Sequence, residues 1–196
     1  SGLLATHGDW DHLLGRLAFP GAALGVCETT SARLRGEPGA AQRELRDFDD
    51  EHYVERERPL ALGEVQALPV PGHLDIGEAS MELHPAEGHT PDGMALWLEW
   101  AGVLVCGDYL SPVEIPWLSP GGSVSAYVAT LRRLEPLVRR AAHVVPGHGA
   151  VLDPQRALAI LREDIAYLEA LPDAPLPLAR RSAFQKKIHA ENLTRL

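Results

Sequence analysis

Apolar residues run along this chain in two rhythms, and the change from one to the other marks out its elements. Short apolar runs closed by glycine, proline or a polar cluster read as strands. They occur at "GLLAT" (2–6), within "FPGAALGVCE" (19–28), at "EVQALPVPG" (64–72), "SMELHPAEG" (80–88), "MALWLEW" (94–100) and "GVLVCGD" (102–108), and at the start of "HVVPGHG" (143–149). The four runs between 63 and 110 are short strands with Gly and Pro between them, which predicts a meander on one sheet. Helical spacing governs "SVSAYVATLRRLEPLVRRAA" (123–142), where Tyr127, Leu131, Leu134 and Val138 share a face. The same spacing governs "PQRALAILREDIAYLEAL" (154–171), where Asp153 and Pro154 form a helix-start signal. Residues 29–62 are charged and patterned for helix, most clearly in "AAQRELRDFDDEHYVERE", and read as a helical insertion. A proline-rich linker, "PDAPLPLARR" (172–181), precedes a last short helix in "SAFQKKIHAENLTRL". The predicted fold is α/β and forms a single domain over 1–196, with no internal repeat.

Composition narrows the function. With 45% hydrophobic and 23% charged residues, the chain can bury a core, and its formal net charge of −9 gives no general attraction for phosphate backbones or anionic lipid. No nucleic-acid partner and no membrane span are therefore expected; the basic run at 131–140 reads as a solvated helix face. Cys27 and Cys106 sit in apolar surroundings, "LGVCETT" and "VLVCGDY", and read as buried thiols in a reducing, cytoplasmic compartment. A small molecule is the expected substrate.

Candidate chemistry collects in the loops that follow strands. "THGDWDH" (6–12) carries His7, Asp9, Asp11 and His12; "EGHTPDG" carries His89, "CGDYL" Asp108, and "VPGHG" His148. Imidazole and carboxylate are the nitrogen and oxygen donors of zinc and other divalent metals, and the adjacent glycines let backbone pack closely round a site. A lone "GH" on a loop is more often structural; several such loops in series point to a metal.

This series resembles the metallo-β-lactamase superfamily, whose hallmark is an HxHxDH loop followed by a "GHT" histidine, a "GD" aspartate and a "GHG" histidine. The resemblance runs from about residue 3 to 170. It implies an αββα four-layer sandwich with the metal site at one edge between the sheets. His7, Asp9 and His89 would hold one metal, Asp11, His12 and His148 a second, and Asp108 would bridge them. The implied cofactors are two divalent ions, zinc first, with iron or manganese as alternatives. In the family this loop follows several strands, whereas only about six residues precede it here, so the first strands are expected upstream of Ser1. That segment, or a second copy of the chain, would cover the sheet.

Asp9 stands where the family usually has histidine. A carboxylate oxygen lies two bonds beyond Cβ, as does the near ring nitrogen of histidine, so reach is preserved. The alternative is a loop residue that caps a backbone amide. As a ligand, Asp9 joins Asp11 and Asp108 to bring three negative charges to the site, which favours harder ions. Two metals about 3.5–4 Å apart can hold a bridging hydroxide, with Asp11 as the catalytic carboxylate that orients it and takes its proton. The expected activity is a metal-dependent hydrolase of the glyoxalase II-like branch, acting on a thioester, lactone or related ester, because Asp108 matches that branch's bridging aspartate. The alternatives are a mononuclear iron persulfide dioxygenase using His7, His89 and Asp108, and a noncatalytic metal-binding module. Trp10 reads equally as lining the site or packing beneath the loop, and His189 as a supporting residue or surface. His52, His73, His84 and His143 read as ordinary.

Overall fold

The computed structural model describes residues 2–196. Strands β1 (Gly2–Leu4), β2 (Ala23–Cys27) and β3 (Val65–Leu68) form a parallel three-stranded sheet in that order, with Leu3 opposite Leu24 and Val26 opposite Ala67. Between its strands lie α1 (Gly15–Ala18), α2 (Glu28–Gly36) and α3 (Ala40–His52). The second sheet has the order β4 (Gly72–Ile76), β5 (Ala79–Pro85), β6 (Met94–Leu98), β7 (Val103–Gly107) and β8 (His143–Pro146). Its neighbours are antiparallel except for β7 and β8, which run parallel. Helices α4 (Val124–Arg140), α5 (Pro154–Glu169) and α6 (Ala183–Leu193) complete the chain.

The alternation of side chains along the strands builds four layers. Leu24 and Val26 of β2 join Leu45 of α3 and Leu60 in an outer core, while Cys27 turns the other way. Cys27 meets Met81, Leu83, Met94 and Leu96 from the second sheet, with Leu4 and Leu68 at the margin, so this cluster is the layer between sheets. Ala95 and Trp97 of β6 and Leu104 and Cys106 of β7 face outward onto Tyr127, Leu131, Leu134 and Val138 of α4 and Ile160 and Leu161 of α5. The order is helix, sheet, sheet, helix, as expected.

Two readings of the sequence need correction. "EVQALPVPG" does not belong to the meander: its first part is β3, paired parallel with β2, and the chain then crosses to the other sheet. Strand β4, "GHLDI", went unread because it is a short edge strand whose alternation rests on two apolar residues, Leu74, half-buried against the inter-sheet layer, and Ile76, exposed. Helix in the 29–62 segment ends at His52, whose successor Tyr53 takes a left-handed turn; residues 53–62 lack an apolar face and are not helical. Among the described residues no helix is long and apolar enough to cross a membrane. Both cysteines are buried and unbridged. The four arginines of the 131–140 run each meet a glutamate: Arg132 with Glu169, Arg133 with Glu87, Arg139 with Glu135 and Arg140 with Glu99.

One buried cation ties the C-terminal stretch to the rest. Arg180 is 1% exposed; its guanidinium donates to the carbonyls of Ser111 (3.3 Å) and Glu114 (2.7 Å) and pairs with Glu163 (3.0 Å) and Asp164 (2.7 Å). Removing one member of such a pair leaves the other charge buried alone. Arg180→Met should therefore cost about 3–5 kcal/mol in urea unfolding. A change within 0.5 kcal/mol, on the order of an ordinary surface substitution, would show that the pair does not brace the segment.

Candidate metal centre

The four candidate loops meet because the strands that deliver them end together. Strands β5, β7 and β8 run in one direction, so the loops carrying His89, Asp108 and His148 leave the same edge of the second sheet. The first loop leaves β1 across the inter-sheet layer, and the Thr6 carbonyl accepts from Met94 N (2.7 Å), which fastens it to β6. A short 3-10 turn, Trp10–Leu13, then presents Asp11 and His12. Close approach requires glycine at Gly147, where a Cβ would overlap the Asp108 carboxylate and the His12 ring.

All seven predicted residues come together. His7, Asp9 and His89 offer one ligand atom each within 4.8 Å of one another, as do Asp11, His12 and His148. Asp108 lies between the triads: Oδ1 is 2.8 Å from His12 Nε2, and Oδ2 is 3.2, 3.4 and 3.8 Å from Nε2 of His89, His148 and His7. Asp9 Oδ2 lies 3.5 Å from His89 Nε2, and Asp11 Oδ2 lies 3.3 Å from His148 Nε2. Nε2 of His7, His12 and His89 and Oδ1 of Asp108 are buried and have only one another and the neighbouring carboxylates of the cluster to face. Buried polar atoms of this kind are rare, and here they point at one another; divalent cations would give them partners. The donor set fits such ions.

The outer nitrogens are held too. Thr6 Oγ1 lies 3.2 Å from His7 Nδ1 and 3.3 Å from His12 Nδ1, so one hydroxyl oxygen can accept from both rings. His89 Nδ1 donates to the Trp117 carbonyl (2.8 Å), and His148 Nδ1 is 4.0 Å from Glu114 Oε1. The His7, His12 and His89 rings are thereby turned with Nε2 inward, the usual role of partners behind a metal ligand. The Trp117 carbonyl is itself braced by α6: Asn192 accepts from Leu118 N (2.9 Å) and donates to the Pro116 carbonyl (2.7 Å) and Tyr167 Oη (3.1 Å).

The sequence model described as the metallo-beta-lactamase superfamily matches residues 1–148. The chain belongs to that superfamily. Among solved structures it is similar to an archaeal metallo-beta-lactamase superfamily protein from Sulfolobus tokodaii, at 20% identity and TM-score 0.64, with 97% of this chain and 76% of the other covered. A metallo-beta-lactamase family protein from Thermus thermophilus matches at 23% identity and TM-score 0.60, with 100% and 74% covered. A protein in a di-iron-bound form matches at 19% identity and TM-score 0.60, with 80% and 74% covered. At these identities the likeness is one of fold. No curated protein matches the chain by sequence.

In this metallo-beta-lactamase superfamily chain, the residues behind the ligands were not legible from the motifs. Thr6, Arg33, Asp92, Glu114, Trp117 and Asn192 are single polar or aromatic residues of common types, and all but Thr6 are remote in sequence from what they support. Thr6 and Asp92 alone lay inside quoted motif stretches, without a signal of their own. Trp10 packs on Phe48 of α3, ring centroids 4.8 Å apart. His189 Nδ1 meets Tyr167 Oη at 2.9 Å and stands outside the cluster. His52 bonds the Phe48 carbonyl and His84 pairs with Glu82, both away from the centre.

Without metal the charges settle on one another. Burial, the largest influence, pulls the His89 imidazole down, but hydrogen bonds and charge from Asp108 and Asp9 outweigh it and raise it to about 10. Hydrogen bonds to Asp108 and Asp11 raise His148 to about 11. Burial and neighbouring His12 lower His7 to about 4, and burial of Asp108 is overcome by His12, His148 and His89, which hold it far below the usual carboxylate range. At pH 7 the metal-free site thus carries protons on His89 and His148 but not on His7. Metal ligation requires neutral imidazole, so binding must expel those protons, and affinity should rise as pH rises above 7 toward the range in which His89 and His148 lose them. Zinc titrations at pH 7 in buffers of different ionisation enthalpy should show proton release; heats independent of buffer would show that His89 and His148 are already neutral in the metal-free site.

Proposed function

We propose that this chain is a metal-dependent hydrolase acting on a thioester, lactone or related ester, in the manner of the glyoxalase II-like branch of its superfamily. The observation that carries this reading is the place of Asp108, whose two carboxylate oxygens face imidazoles of both triads. His7, Asp9 and His89 would hold one ion, Asp11, His12 and His148 the other, and Asp108 both; zinc is the expected metal, with iron or manganese as alternatives. Such ions supply Lewis acidity toward a carbonyl oxygen and make water more acidic.

The chain's own residues divide the remaining work. His7 and His89 are almost wholly enclosed, at 4% and 2% side-chain exposure, whereas Asp11 and His148 are open at 29% and 32%. A small-molecule substrate would therefore approach from the Asp11 and His148 side. Burial raises the Asp11 carboxyl, but hydrogen bonding to His148 and charge from His12 and His148 outweigh it, so Asp11 stays ionised near neutrality. An ionised carboxylate on the open side can accept a hydrogen bond from water, aim its lone pair at an acyl carbon and take the proton. Glu114, beside His148, is raised in the first place by burial and lies on the same side.

A second reading rests on His7, His89 and Asp108 as a two-histidine, one-carboxylate iron set, with oxidation of a persulfide as its chemistry; the fold neighbour in di-iron form keeps iron in view. The intact second triad favours the hydrolase. Metal-free protein reloaded with zinc, manganese or iron(II) should hydrolyse thioesters or lactones, and Asp11→Asn, compared with wild type at full metal loading, should lower kcat by about 100-fold or more. Ester hydrolysis absent with every metal, and dioxygen consumed with a persulfide by the iron-loaded protein, would replace the hydrolase by the dioxygenase. Neither activity at full loading would leave a binding module.

A further inference from the structure

Asp9 does not face the centre with both oxygens. Its Oδ2 lies 3.7 Å from His7 Nε2 and 3.5 Å from His89 Nε2, while Oδ1 is held 2.8 Å from Arg33 Nη2. Arg33 comes from α2 and is itself anchored: Nη1 lies 2.9 Å from Asp92 Oδ1. Asp92 is 1% exposed and accepts from Thr30 Oγ1 (2.6 Å), one helical turn before Arg33, and from Gly8 N (3.0 Å), the residue just before Asp9. The guanidinium is thus a planar fork between two carboxylates, one fixed by the metal-ligand loop's own backbone and the other aimed at the centre.

This geometry bears on how a carboxylate can replace an imidazole. A free carboxylate can ligate through two oxygens or swing to bridge, and such plasticity suits ions that take high coordination numbers. An imidazole offers a single donor. With Oδ1 engaged by Arg33, Asp9 also has one oxygen left, at a histidine's reach. We propose that Arg33 is a positioning residue that makes Asp9 a one-point donor in the histidine's place, and so keeps the His7, Asp9 and His89 subsite selective for ions of low coordination number.

The inference rests on the reading of His7, Asp9 and His89 as a metal subsite. Losing Arg33 also removes a positive charge, which alone would tighten every divalent ion alike. The ratio of two divalent affinities cancels that common Coulomb effect and leaves coordination geometry. Zinc and manganese affinities should therefore be measured by competition with a chromogenic chelator, alongside the visible absorption of the cobalt(II)-loaded protein, in wild type and Arg33→Met. Arg33→Met should shift the zinc-over-manganese preference toward manganese by about tenfold, and weaken the cobalt bands as coordination number rises. In the Asp9→His background, Arg33→Met should leave both readouts unchanged, because the arginine would keep Asp92 but have no ligand carboxylate left to hold. If Arg33→Met does not fold, Arg33→Gln is read in the same way.

An unchanged ratio and spectrum in Arg33→Met would overturn the proposal, as would an equal change with and without Asp9, which marks a general loosening of the loop. His89→Ala separates this failure from that of the subsite: if it leaves cobalt uptake and spectrum as in wild type, the subsite reading falls first and the role of Arg33 with it.

Discussion

A carboxylate under the surface of a protein has to be met by positive charge or by several donors, and Asp108 is met by four imidazoles drawn from three separate loops. That requirement organises the site. His7 and His12 arrive from the small sheet's side, His89 and His148 from the large sheet, and none of these rings has another buried acceptor close to its inner nitrogen that serves both triads. The two sheets must therefore stack with β1 beside the ends of β5, β7 and β8, or Asp108 is stranded. The inter-sheet layer of Cys27, Met81, Leu83, Met94 and Leu96 supplies the apolar contact that holds this stacking, so packing and polar satisfaction favour one arrangement.

Rings that converge on a point must also be prevented from turning away from it. Here the restraint comes from residues that are not themselves candidate ligands. Thr6, the last residue of the first apolar run, serves two rings at once. The Trp117 carbonyl that orients His89 belongs to a long connection between β7 and α4, and such a connection has little internal hydrogen bonding of its own. Arg180 and Asn192 provide it, from the linker and from α6. The C-terminal stretch is thus tied to the centre through backbone carbonyls, although it contributes no candidate ligand.

Much of this centre was legible in the sequence because its chemistry is local: His7, Asp9, Asp11 and His12 fall within six consecutive positions, and His89, Asp108 and His148 each follow an apolar strand and lie beside glycine. Most strands and helices announced themselves by period, while the four-layer arrangement was what the family resemblance implied. What was lost has a physical cause. Strand β4 buries only part of one apolar side chain, Leu74, and β3 was placed on the wrong sheet because a parallel crossover leaves no mark in periodicity. The supporting residues were invisible because their partners are remote: Gly8 and Asp92 are 84 positions apart, Leu118 and Asn192 74.

The charge at Asp9 shows what such remoteness can hide. Read from the loop alone, an aspartate in place of histidine adds a full negative charge to the first subsite and should soften the acidity of its metal. With Arg33 2.8 Å from that carboxylate, the added charge is partly matched, and the guanidinium's second branch lies on Asp92 rather than in solvent. Burial tends to raise the Asp9 carboxyl, yet His89, His7 and Arg33 together keep it ionised well below the ordinary range. A substitution that looks like a change of charge within six residues is, across the fold, closer to a change of donor: one oxygen in place of one nitrogen, with the counter-charge supplied by a helix that the metal motif does not include.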